Sequence, residues 1–337
     1  MLSVIITTFQ QPHSLAALLC CLRAQDVDVP FEVIICDDGS SLATLKAVKN
    51  DAFSRMDIRY IWQPNHRNRA ARSKNNGIRC ARGDILVFVD GDIVMDSDFL
   101  RKHLEAHDSQ NLIVCNSRRW VIDAATSKFR KQSGSKPPPD SLIGSADEIS
   151  SPFKQMLQDS IEVDRDYQIR MYKTDPWLSC IGFSFSVERH PAVYFDEAFE
   201  GWGPEDRELA FRLVKRHGFS VSYRNDIEVV HLETCSTGRT PFTLLPRKHS
   251  QITSYMRNMI YLRNLYPDED LSVLLKPLLA YRLNPATQHW ELGSHTYSLG
   301  DTQGANVRTS SLPDQLLPEM LDSIEQWLKA HPTCNGQ

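Results

Sequence analysis

ILVFVDGDIVMDSDF, Ile85 to Phe99, carries a strongly apolar run, Ile85 to Val89, that stops abruptly at Asp90-Gly91-Asp92. The run has the length and composition of a buried strand. Burying an unpaired carboxylate costs several kcal/mol, so two acids one residue apart belong at an opening and not inside the core. The strand therefore ends at a cleft.

Working outward, the first hundred residues alternate strand and helix signals. Leu2–Thr8 is a β-branched run. Ser14–Gln25 has apolar residues at Leu15, Leu18, Leu19 and Leu22, which is helical spacing. Phe31–Cys36 reads as a strand that ends in the turn Asp37-Asp38-Gly39-Ser40. Leu42–Asn50 suits a helix, Ile58–Trp62 a strand and Ala70–Arg82 a helix with Gly83 as its C-cap. This order predicts an α/β protein with a mainly parallel, doubly wound sheet flanked by helices. Such sheets bind ligands beyond the carboxyl ends of their strands. Thr7-Thr8, Asp37-Asp38 and Asp90-Asp92 all lie at such ends and should line one crevice.

The chain's 337 residues, 41% hydrophobic and 24% charged, are those of a globular protein with a large core. Its net charge of −4 gives no global field for nucleic acid. Eight scattered cysteines without a CxxC pair read as reduced thiols. There is no signal-like h-region after Met1 and no run as long as a membrane span, so the expected compartment is the cytoplasm.

The second part is less regular. Asp98–His107 reads as a helix, Leu112–Asn116 as a strand and Cys180–Arg189 as strand-like. Lys131–Ser151, rich in Ser, Pro and Gly, reads as a loop excursion. Pro204–His217 is a helix with Gly218 past its end, followed by two short strands that finish at His231. From Pro241 onward the pattern turns helical, most clearly at Ser250–Leu265. The expected division is 1–100 for a nucleotide-binding half, 101–240 for an acceptor and catalytic half, and 241–337 for a helical C-terminal extension.

Four groups of residues carry chemistry. Asp90-Gly91-Asp92 suits Mn²⁺ or Mg²⁺ with a bound phosphate, although an isolated D-x-D is also an ordinary cap or turn. Asp37-Asp38-Gly39-Ser40 is an Asx-type turn and N-cap that can also offer a carboxylate to a nucleobase or ribose. GWGPEDRELAFRL, Gly201 to Leu213, opens a helix with Glu205 and Asp206, where the helix dipole favours ionised acids. An ionised carboxylate at a cleft can serve as a general base, although acids there also simply compensate the dipole, and Trp202 beside them is either a face on which sugars stack or a core residue. His231 can join the acids at a metal, and Glu233 points to the same side of an extended chain. Separately, Pro241–Pro267 holds Arg247, Lys248, Arg257 and Arg263 and no acid. That is a solvated basic face or a contact for an anion or a membrane surface.

These elements resemble GT-A fold, family 2-type glycosyltransferases. The match runs through SVIITTFQQPHSLAALLCCLRAQ, FEVIICDDGS, KNNGIRCARGDILVFVDGD and GWGPEDRELAFRL, over roughly residues 1–235. The last two also look like the galactosyltransferase-type carboxyl module of chondroitin-polymerase-like and β-1,4-galactosyltransferase-like enzymes. The resemblance implies a Rossmann-like GT-A fold that transfers a hexose or N-acetylhexosamine from a UDP-sugar, with inversion, in polysaccharide biosynthesis. It implies that Thr8, Phe9 and Asp38 hold uracil and ribose, that Lys74 approaches the diphosphate or sugar, and that Asp90 and Gly91 meet the ribose or sugar. Asp92 and His231 would ligate Mn²⁺, Asp206 would be the base, and Glu205 and Trp202 would place a glycan, lipid-linked or peptide acceptor. Gln10, where the family usually has Asn, and Lys74, where it often has Arg, are departures. The rival readings are a retaining N-acetylgalactosaminyltransferase-like enzyme acting on a peptide and a non-catalytic sugar-binding module.

Overall fold

The structure is a computed structural model. It describes residues 1–123, 152–163, 165–180, 183–235, 247–269, 271, 274, 281–284 and 289–292. The excursion expected at Lys131–Ser151 lies outside them, as does the side chain of Glu233. The chain divides into two compact units, Met1–Glu197 with Glu205–Gly238, and Ala198–Pro204 with Arg239–Gln337.

In the first unit the strands are β1 (Leu2–Thr8), β2 (Phe31–Asp37), β3 (Ile58–Trp62), β4 (Ile85–Asp90), β5 (Ile93–Met95), β6 (Leu112–Asp123), β7 (Ser160–Val163), β8 (Ser184–Glu188) and β9 (Ser220–Cys235). The helices are α1 (Pro12–Arg23), α2 (Leu42–Val48), α3 (Ala70–Cys80), α4 (Phe99–Ala106), α5 (Phe153–Gln158), α6 (Arg165–Thr174) and α7 (Glu205–His217). The sheet runs β3-β2-β1-β4-β8-β6-β9-β5, with β7 alongside β6. Its first four strands are parallel throughout, as is the long β6–β9 pair, whereas β8 lies antiparallel to both β4 and β6. β1 is central and almost wholly buried, and Leu15, Leu18, Leu19 and Leu22 of α1 are completely buried. The helical spacing read from the sequence is thus the spacing of the core face.

Local expectations needed two adjustments. Gly83 is not the C-cap of α3, because Ala81 takes that position in extended backbone. Gly83 instead passes so close to β1 that a Cβ there would meet Ser3 N at 2.6 Å. The two short strands expected before His231 form one strand, β9, with register shifts in its pairing to β6.

Behind the sheet, His103 of α4 and His107 share a single hydroxyl. His103 Nδ1 and His107 Nε2 each lie 2.8 Å from Ser186 Oγ. Their outer nitrogens are buried without a hydrogen-bond partner. Burial pushes His103 down to about 3, with His107 beside it adding to the effect, and pushes His107 down to about 4. In the unfolded chain both titrate near 6.5. Between these values the unfolded state binds protons that the folded state refuses. Stability is therefore complete above pH 6.5 and falls as the pH drops toward 4, by up to about 1.4 kcal/mol per pH unit per histidine. Urea midpoints measured across this range should show that slope, and His103→Leu should reduce it. An unchanged slope in the variant would assign the acid sensitivity elsewhere.

The second unit contains α8 (His249–Leu265) and a three-stranded antiparallel sheet of β10 (Arg247–Lys248), β12 (His289–Leu292) and β11 (Tyr281–Asn284). The helix matches the clearest helical pattern of the extension. The strands are too short to show in a periodicity. No described helix is long and apolar enough to cross a membrane.

Candidate active site

The carboxyl ends of β1, β2 and β4 meet as parallel pairing requires. Thr8 pairs with Asp37 and Thr7 with Asp90. Asp38 N donates to Thr8 O (3.0 Å), and Gly91 N to Thr7 O (2.9 Å). Thr8 is buried and its Oγ1 has no hydrogen-bond partner, an orphan polar atom at the mouth of the sheet. Phe9 is 46% exposed. Gln10 holds φ at +53°, a conformation that Asn enters more readily than Gln. Its amide donates to Ser40 Oγ (2.7 Å).

Asp37 and Asp38 divide the labour of their turn. Asp37 Oδ1 accepts from Ser40 N (2.6 Å) and its other oxygen from the Tyr60 hydroxyl. That is the expected Asx-type turn. The N-cap role falls to Ser41, whose side chain makes no capping bond. Asp38 is buried and turned toward α3. Its Oδ1 accepts from Gln63 Nε2 (2.5 Å) and its Oδ2 from Arg69 N (2.7 Å). Gly39 is forced by geometry: its φ is +96°, and a Cβ would meet Asn65 N at 2.3 Å.

Gly91 lies between its two acids for close approach, since a Cβ would meet Thr7 O at 2.7 Å. Asp90 Oδ2 accepts from Phe183 N (3.0 Å), and burial raises its pKa against the pull of Lys74. Asp92 Oδ2 accepts from Gln11 Nε2 (3.0 Å), and its Oδ1 lies 3.3 Å from His231 Nε2. The antiparallel pairing of Ile93 with His231 makes that meeting. The Phe183 ring packs on the imidazole at 4.8 Å. A carboxylate oxygen and an imidazole nitrogen that converge in this way are donors of the kinds that could serve a divalent ion. Among the described residues no group of three His, Cys, Asp or Glu forms a fuller shell.

Glu205 and Asp206 stand in the first turn of α7. Lys74 of α3 reaches both, with Nζ 3.1 Å from Glu205 Oε1 and 2.5 Å from Asp206 Oδ1. Burial raises the Glu205 pKa, which Lys74 opposes. The rear of α7 is anchored by the buried Arg212, paired with Glu208 and donating to the carbonyls of Ala192 and Tyr194.

Trp202 belongs to the second unit. Its backbone N donates to Ser254 Oγ (2.9 Å), and its ring lies 5.2 Å from that of Tyr255. In the basic segment, Arg257 donates to Glu200 O (3.1 Å), and residues 241–246 lie outside the described set.

Gln11, Gln63, Arg69 and Phe183 were not legible as site residues. None carries a motif, and only the pairing of β8 with β4 puts Phe183 opposite Asp90.

The family model of glycosyl transferase family 2 matches residues 3–179. The chain belongs to glycosyl transferase family 2. The matched span holds the ends of β1, β2 and β4, and α7 follows it. Among relatives, an uncharacterized glycosyltransferase, YfnE, of Bacillus subtilis (strain 168) is 31% identical over 68% of this chain and 64% of its own length. The hyaluronan synthase of Pasteurella multocida is 28% identical over 83% of this chain and 29% of its own length. The chain thus spans less than two thirds of the length of either relative. The mannosyltransferase PcManGT from Pyrobaculum calidifontis, solved with GDP-Man and Mn²⁺, superposes with a TM-score of 0.51 at 15% identity, over 82% of this chain and 67% of that one. It shares the GT-A fold.

Proposed function

We propose that this chain is a metal-dependent, inverting glycosyltransferase that moves a hexose or N-acetylhexosamine from a UDP-sugar to a hydroxyl of a glycan acceptor. The observation that carries the reading is the juxtaposition at one sheet edge. Asp92 Oδ1 lies 3.3 Å from His231 Nε2, two donors that could serve a metal, and Glu205 with Asp206 forms a carboxylate pair at a helix start. Membership of family 2 and a relative named as a polysaccharide synthase support sugar transfer. The complex of PcManGT with GDP-Man and Mn²⁺ supports a nucleotide-sugar donor and a divalent ion in general.

In this reading the orphan Thr8 Oγ1, Phe9 and Asp38 receive the uridine, and Asp90 with Gly91 meets the ribose or sugar. Asp92 and His231 hold Mn²⁺ or Mg²⁺. A divalent ion bound there neutralises the diphosphate and eases departure of UDP. Asp206 accepts the proton of the acceptor hydroxyl as that oxygen bonds the anomeric carbon. The bond from that carbon to the diphosphate oxygen breaks, and its electron pair leaves with UDP. One displacement inverts the configuration. Trp202 and Glu205 place the acceptor, and the basic segment 241–267 gives peripheral contact with a membrane. The domain roles expected for 1–100, 101–240 and 241–337 belong to this reading.

Four donors with Mn²⁺, namely UDP-Gal, UDP-GalNAc, UDP-Glc and UDP-GlcNAc, test it by thermal shift and by UDP release. At a hundredfold excess over Kd a true donor stabilises the fold by roughly 2.7 kcal/mol. NMR of the product then reads the anomer. Silence with every donor, or retained configuration, overturns the proposal.

A further inference from the structure

The resemblance implies Lys74 at the diphosphate or sugar. In the structure its ammonium sits between the two acids of α7, 95% buried, with the Phe195 ring 4.8 Å from Nζ. Its seat is built, not incidental. Gly77, one turn on, lets α3 lie against β1 and β2: a Cβ there would meet Ile5 Cγ2 at 2.5 Å and Cys36 Sγ at 2.8 Å. The next residue, Asn75, clamps the Phe195 backbone in both directions. Its Nδ2 donates to Phe195 O (2.8 Å), and Phe195 N donates to its Oδ1 (2.8 Å). Lys74 therefore has a fixed origin and a fixed backing.

The charges around it do not balance. The titratable groups facing this centre among the described residues are Lys74 from α3, Asp90 from the end of β4 with Asp92 beyond it, and Glu205 and Asp206 from α7. One buried cation thus serves three carboxylates. Burial works against the Lys74 charge, but Asp206, Glu205 and Asp90 outweigh it and hold the ammonium well above the ordinary lysine value. Burial pushes the Glu205 carboxyl up, and Lys74 is the strongest pull against it. Asp206 spends Oδ1 on Lys74, and its Oδ2 makes no hydrogen bond among the described residues.

We propose that Lys74 is the positioning residue of the base: it fixes Asp206 through Oδ1, sets its charge against the Glu205–Asp206 pair, and leaves Oδ2 for the acceptor proton. This rests on Asp206 being the base, but its first readout needs no turnover. Carboxyl ¹³C titration, assigned with D206N and E205Q, gives the midpoints of the pair directly. In K74M they should rise by roughly one to three units, the reach of an opposite charge at contact distance. In K74R, which keeps the charge, they should stay near wild type. Affinity for UDP with Mn²⁺ should be the same in all three proteins.

Where transfer is measured, the acidic limb of kcat/KM in K74M should move upward with the midpoints, and K74R should rescue it. Unmoved midpoints in K74M overturn the inference. So does a loss of UDP affinity of about tenfold or more, which would make Lys74 a diphosphate ligand. K74M/E205Q covers a K74M that fails to fold, and its reference is E205Q, which already lacks that acid: an Asp206 midpoint no higher in the double variant than in E205Q is equally fatal. A wild type that transfers no sugar while K74M still shifts the midpoints refutes the proposed function and not the role of Lys74.

Discussion

Asp206→Asn lowers kcat for sugar transfer by about 10²–10⁴-fold, the range that a positioned proton acceptor supplies. The substitution keeps size and shape, so packing around the start of α7 survives, but an amide oxygen cannot take a proton from the acceptor hydroxyl. UDP affinity should be unaffected, because Asp206 faces Lys74 and no donor group is assigned to it. Circular dichroism and the unfolding midpoint verify the fold, and a single-turnover assay gives the rate. E205Q is the comparison: a residue that places the acceptor should raise acceptor KM more than it lowers kcat. Wild-type turnover by D206N would remove Asp206 from the mechanism.

Asp92→Ala abolishes metal-dependent donor binding. Asp92 meets His231 at 3.3 Å and is steadied by Gln11, so its loss leaves a lone imidazole to hold the ion. In the wild type, UDP with Mn²⁺ at a hundredfold excess over Kd stabilises the protein by roughly 2.7 kcal/mol. In D92A that shift should vanish, and EDTA should abolish it in the wild type. The variant itself should fold, since Asp92 is only half-buried and its backbone bond to Leu232 N is independent of the side chain. H231A should behave alike. A full UDP and Mn²⁺ shift in D92A would show that the ion is held elsewhere.

Both residues stood out in the primary structure, for different reasons. Asp90-Gly91-Asp92 was conspicuous because charge follows directly on an apolar run, and strand burial is a local, period-based property. The helix of Glu205 and Asp206 announced itself by its first-turn acids and by Gly218, whose φ of +69° is the left-handed C-terminal conformation. What each acid touches was not local. Lys74 lies 131 and 132 residues from its two partners, and its expected place at the diphosphate came from resemblance alone. The positive φ of Phe183 and its amide bond to Asp90 left no trace in composition.

The order of strands and helices, the parallel first half of the sheet and the acids at its carboxyl edge follow from sequence alone, because alternation, turn chemistry and capping act within a few residues. Tertiary structure decided the rest: that β9 returns beside β5 and delivers His231 to Asp92, and that α3, allowed close to the sheet by Gly77, sets Lys74 between Glu205 and Asp206. Register between distant strands and the seat of a helix on a sheet are fixed by packing the whole core, and no local pattern encodes them.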